Sequence, residues 1–109
     1  ELFSVESVPP ERALAHDMLI LGCPAMGSEV LEEEVFEPFF TALEGFLQGK
    51  KLALFGSYGW GDGEWMRSWQ NRCAAAGAAL MAGGLTAESA PDPDALAQCE
   101  ALGREAASF

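Results

Sequence analysis

The chain has 109 residues, half of them hydrophobic, which is enough for one domain, residues 1–109, with a sizeable core. Seventeen acidic side chains against six basic ones leave a formal net charge of −11, the wrong sign for a nucleic-acid footprint. No apolar run approaches the ~20 residues of a membrane helix, and no basic start followed by an apolar centre marks a secretory signal.

The acidic balance fits docking with a basic partner surface, whose encounter an acidic field speeds, and fits simple solubility as well. Cys23, Cys73 and Cys99 contain no CxxC pair and are odd in number, which disfavours a disulfide framework and a zinc site. Buried, reduced thiols in a cytoplasmic protein are expected. His16, the single histidine, falls in a connection before a strand and is a weak catalytic candidate.

In chain order, residues 2–5 alternate weakly and are expected to form a short strand. Pro9 and Pro10 open a brief helix with Glu11 and Arg12 outward and Ala13 and Leu14 inward, because proline suits a first turn. Residues 18–21 are unbroken apolar, as in a parallel strand covered on both faces. The loop 24–29 follows, then an acidic turn, Glu32 to Glu34, read as a solvated face near a helix start or a docking feature.

Phe36, Phe39, Phe40, Leu43, Phe46 and Leu47 recur at helical spacing and predict a stripe packed on the sheet, with Pro38 in the first turn and Gly49 past the end. Residues 52–55 predict a strand. A helix then starts at Asp62 or Gly63, with Asp62 as its cap, and turns Trp65, Met66, Trp69 and Cys73 inward before Gly77 ends it. Residues 78–85 predict a strand weakened by Gly83 and Gly84. A turn at 90–93 starts the last helix, lined by Leu96, Cys99, Leu102 and Ala106. Alternating strands and helices at this spacing imply a parallel sheet.

Two strand-ending loops stand out. The first contains Met26, Gly27, Ser28 and Glu29. The second runs through Gly56, Ser57, Tyr58, Gly59, Trp60, Gly61, Asp62 and Gly63. Glycine lets backbone approach a flat ligand, open α/β sheets bind ligands at the carboxyl ends of strands, and each loop offers a large soft side chain, Met26 or Trp60. Together they suggest a clamp for a planar heterocycle. From spacing alone, Met26 as a buried loop anchor, Trp60 as an exposed hydrophobe and Glu29 as a helix-start residue stay open.

The segments LGCPAMGSE and LFGSYGWGDGEWM closely resemble the two ring-binding loops of short-chain flavodoxins of the clostridial and rumen-anaerobe type, and the likeness covers nearly the whole chain. The resemblance implies a flavodoxin-like three-layer α/β/α fold, strand order 2-1-3-4-5 in the family, with non-covalent FMN and low-potential one-electron transfer rather than enzymatic turnover. It implies that Trp60 stacks on the outer ring face and Met26 on the inner. Glu29 would bond the ring N3–H, with Ser28 beside it. The Gly27 carbonyl would turn to accept from N5–H on one-electron reduction, and the backbone from Ser57 through Tyr58 and Gly59 to Gly61 would line the pyrimidine side. Basic-surfaced redox proteins of the reductase type are the implied partners.

The resemblance begins at the family's second strand, so the first strand, phosphate loop and first helix, roughly 40 residues, are expected to be missing from residues 1–109. A partner chain or an N-terminal segment would then complete the sheet. A flavin-free fragment acting as an interaction half, and an FMN-dependent reductase, are the alternative readings.

Overall fold

The elements run in the order α1 (Pro10–Leu14), β1 (Met18–Gly22), α2 (Phe36–Glu44), β2 (Lys51–Tyr58), α3 (Glu64–Ala75), β3 (Ala79–Leu80), β4 (Leu85–Glu88) and α4 (Pro93–Ala107). A computed structural model of the chain describes residues 2–26, 30–59, 61–81 and 84–107. β2 is central. Its Leu52, Ala53 and Leu54 are buried, because helices cover both faces of the sheet at this point and neither face tolerates a polar side chain.

All pairings between the named strands are parallel: β1 joins one edge of β2, from Met18 opposite Lys51 to Gly22 opposite Phe55. β3 and β4 share the other edge, β3 opposite residues 51–52 and β4 opposite 55–58. The expected strand over 78–85 is therefore two short pieces, and the register shifts by two residues between them. Just before β4, a Cβ on Gly84 would overlap the Met66 thioether, so the chain passes close to α3 there.

α1, α2 and α3 pack on one face of the sheet, where Leu19, Leu21, Leu52 and Leu54 meet Phe36, Phe40, Trp65 and Trp69 in one core cluster. α4 covers the other face through a smaller cluster of Ala53, Met81 and Ala106 with Met18 and Leu102. The result is the three-layer α/β/α class. Arg72 of α3 ties α2 to it, donating to Glu37 (2.7 Å) and Glu44 (2.8 Å) while its guanidinium lies 4.8 Å from the Phe40 ring centre. The bond from Arg72 holds the Glu37 carboxyl below its ordinary range.

Several local expectations fail for nonlocal reasons. Residues 2–5 form no strand. Ser4 instead nucleates a turn, its carbonyl accepting from Ser7 N at 2.9 Å, and among the described residues no strand borders the outer edge of β1 to pair with it. Phe46 leaves the stripe: α2 stops at Glu44, and the turn that follows sends Phe46 outward at 69% exposure and Leu47 fully inward. Asp62 does not cap α3. Gly63 holds the cap position at φ 91°, and Asp62 pairs with Arg67 at 3.0 Å.

Cys99 is exposed while Cys23 and Cys73 are buried. It lines a cavity of about 380 Å³ between the first turns of α4 and the carboxyl halves of the strands. A groove of about 640 Å³ follows the open edge of β1, bounded by Val8, Phe36 and Phe39 on one side of the sheet and Gly103 and Ala106 on the other. Ile20, at the middle of that edge, is 44% exposed.

Candidate functional site

Both glycine-bearing loops leave the carboxyl ends of neighbouring strands, and hydrogen bonds hold them together. After β1, Cys23 N donates to Phe55 O at 3.1 Å and Ala25 N donates to Ser57 O at 2.9 Å, so the first loop prolongs the β1–β2 ladder. Met26 and Val30 then exchange backbone bonds of 2.9 and 3.0 Å. They form an antiparallel bridge that draws Met26 and Val30 together. Met26 itself is 46% exposed.

The base of this loop is anchored on two sides. Cys23 is buried, and its Sγ accepts from Glu32 N at 3.4 Å. Burial raises its thiol pKa, so the sulfur stays protonated. Glu32 turns its carboxylate to the start of α2 and accepts from the backbone N–H groups of Glu34, Val35 and Phe36 at 2.7 to 2.9 Å. These bonds, the one from Phe36 foremost, hold its carboxyl below the ordinary 4.5. One member of the acidic run thus accepts from backbone N–H groups at the start of α2 rather than standing as a freely solvated charge.

The second loop starts later than its glycines suggest. β2 continues through Ser57 and Tyr58, because residues 55–58 find ladder partners on both sides, in β4 and in the prolonged first loop. Tyr58 is half-buried with its ring 5.6 Å from that of Trp65, so it joins the core instead of standing free in a loop. Beyond it, the space around Gly59 is open, and Gly61 takes φ 87°, a conformation that side chains rarely adopt.

Of the expected site residues, Met26, Ser57, Tyr58, Gly59 and Gly61 are thus placed on two adjoining strand ends. Gly27, Ser28, Glu29 and Trp60 lie outside the described residues. The periodicity of α3 marks Trp65 as core, and it is 1% exposed. Its indole Nε1 also donates to Cys23 O at 3.2 Å, a bond across 42 residues that no local pattern announces.

A parallel α/β/α sheet with two joined glycine loops at the carboxyl ends of adjacent strands defines the class of open α/β sheet proteins, in which ligands sit outside the carboxyl ends of the strands. The family profile described as "Flavodoxin" matches residues 1–103. The chain is 52% identical over 91 residues to the flavodoxin of Megasphaera elsdenii, a match covering 84% of this chain and 64% of that protein. It is 45% identical over 106 residues to the Clostridium beijerinckii flavodoxin, covering 97% and 76%. The solution structure of the two-electron reduced Megasphaera elsdenii flavodoxin superposes with a TM-score of 0.81 at 48% identity, over 96% of this chain and 74% of that one. Oxidised flavodoxin 1 of Bacillus cereus gives 0.80 at 26%, over 95% and 73%. The chain belongs to the flavodoxin family. Its match to the Megasphaera protein spans under two thirds of that protein's length.

Proposed function

We propose that the chain holds the ring of FMN non-covalently between the loops that follow β1 and β2, and serves as a low-potential one-electron carrier rather than an enzyme. The observation that carries this reading is the joining of those loops by Ala25 N to Ser57 O. It sets the half-exposed Met26 beside the open backbone at Gly59, an arrangement that fits a flat heterocycle. FMN, when bound, supplies a redox centre that exchanges electrons singly.

The family relationship supports the residue roles. Met26 and Trp60 would cover the ring, Glu29 would accept from N3–H with Ser28 next to it, and the Gly27 carbonyl would accept from N5–H. The backbone of Ser57, Tyr58, Gly59 and Gly61 borders the pyrimidine side. A glycine at 27 exchanges turn conformations at low cost, since no Cβ opposes it. The net charge of −11 disfavours further negative charge on the ring, which lowers its potential. The same field steers basic-surfaced redox partners, reductase-type donors and acceptors. Three free thiols are in keeping with a cytoplasmic setting, and no helix among the described residues is long and apolar enough to cross a membrane.

The groove along β1 supports a completion of the sheet by one more parallel strand, apolar on both faces, from a flavodoxin segment outside residues 1–109. Helices wall the groove on both sides of the sheet, no strand among the described residues pairs with the outer edge of β1, and an added strand needs only about 4.8 Å of width.

The test is a visible-absorption and flavin-fluorescence titration with FMN, carried out alone and with a synthetic peptide of that description. Quenched emission with a shifted ring spectrum is the expected result. Binding only with the peptide assigns the groove to an added strand, and binding without it dispenses with that strand. Failure in both arms overturns the flavin reading.

A further inference from the structure

We infer that Trp65 is a positioning residue for the ring site, holding the two loops in register from beneath. Its side chain touches both strand ends at the positions where they approach. Its indole N–H donates to Cys23 O at 3.2 Å, the residue from which the Met26 loop springs. Its ring lies 5.6 Å from that of Tyr58, the last residue of β2. Between these two points sits Gly56. A Cβ there would overlap Cys23 O and come within 3.1 Å of the Trp65 ring, so strand, loop carbonyl and indole are in direct contact with no side chain between them.

The chemistry makes the link directional. Cys23 is 3% exposed, so water does not readily replace the indole as donor to its carbonyl. A buried carbonyl that loses its donor has to be re-satisfied, and the accessible route is a shift of the loop. Such a shift moves the Ala25 and Met26 amides away from Ser57 O and Val30 O. It changes the spacing between the Met26 loop and the 58–61 segment without altering any residue expected to touch the flavin.

The protein carries its own control. Trp69 lies one helical turn further along α3 and is fully buried, edge-on to Phe36 at 5.3 Å and Phe40 at 6.0 Å. Its Nε1 has no hydrogen-bond partner among the described residues. Trp65→Phe and Trp69→Phe therefore remove the same atoms from equally buried sites, and only the first removes a bond to the loop.

This inference rests on the flavin reading for its consequence but not for its detection. The experiment compares both variants in the full chain by amide hydrogen exchange at Cys23, Ala25 and Met26, and by FMN affinity. Trp65→Phe is expected to lower protection at those three amides and to weaken FMN binding by about tenfold, the scale of one unmet buried carbonyl. Trp69→Phe is expected to leave both near the parent values at matched temperature below unfolding. If the parent chain takes up no FMN either alone or with the added strand peptide, the flavin reading fails and the exchange comparison alone decides the positioning role. Equal protection in the two variants overturns it. If Trp65→Phe fails to fold, Trp65→His, whose ring can still donate, provides the second arm. Protection at the level of the parent is then expected, and its absence counts against the inference.

Discussion

Gly56 gives a test in which local propensity and tertiary packing predict opposite signs. Its φ is not positive, so alanine fits the backbone, and glycine inside a strand is costlier than alanine by roughly 0.5–1 kcal/mol. From the local view, Gly56→Ala stabilises the protein. In the structure the new Cβ would overlap Cys23 O, a backbone atom that cannot rotate away, with the Trp65 ring 3.1 Å off. Overpacking of this kind costs about 1–3 kcal/mol. Separating the strand from the loop also weakens the Cys23 N to Phe55 O and Ala25 N to Ser57 O bonds, each contributing about 0.5–1.5 kcal/mol. The net expectation is a loss of about 2 kcal/mol, read as a lower urea midpoint with an unchanged slope. Gly103→Ala is the counterpart: it lies in α4, nothing stands within 4 Å of its added Cβ, and a gain of about 0.5–1 kcal/mol is expected. A Gly56→Ala protein as stable as the parent would refute the close-approach reasoning.

Acid should act through Glu32. Its folded-state pKa lies below the ordinary 4.5 because the backbone N–H groups of Phe36, Glu34 and Val35 favour the carboxylate. The stabilisation is therefore complete above that ordinary value and lost as pH falls through the folded value. Melting temperatures recorded from about pH 6 down to about pH 3 should fall less steeply for Glu32→Gln than for the parent, and parallel slopes would remove Glu32 from the account. Thiol labelling supplies a further check. Cys99 should react rapidly in the native protein. Cys23 and Cys73 should react only on unfolding, since both are buried and burial pushes the Cys73 thiol up to about 11. Rapid labelling of all three would contradict the core described for α3 and the first loop.

Patterns within a few residues were sufficient for much of this molecule. The apolar runs at 18–21 and 52–55 and the helical recurrence of Trp65, Met66, Trp69 and Cys73 follow from the need to bury one face or two. The turn positions of Pro10 and Gly77 follow from their own backbone limits, Gly77 taking φ 85°. The flavodoxin likeness was legible for the same reason, since its motifs are short and contiguous.

Other features depended on partners far along the chain. Residues 2–5 alternate like a strand but have no ladder neighbour, whereas Ser57 and Tyr58, next to glycines, have neighbours on both sides and extend β2. Cys99 keeps helical spacing yet faces a cavity, because α4 packs on the sheet mainly through its later turns. The bond from Trp65 to Cys23 O joins residues 42 apart. Hydropathy could mark the indole as buried but not say which carbonyl its N–H would meet. Sequence alone determined which surfaces avoid water. Only the tertiary structure decided which backbone groups were left to satisfy one another, and that choice brings the two loops together.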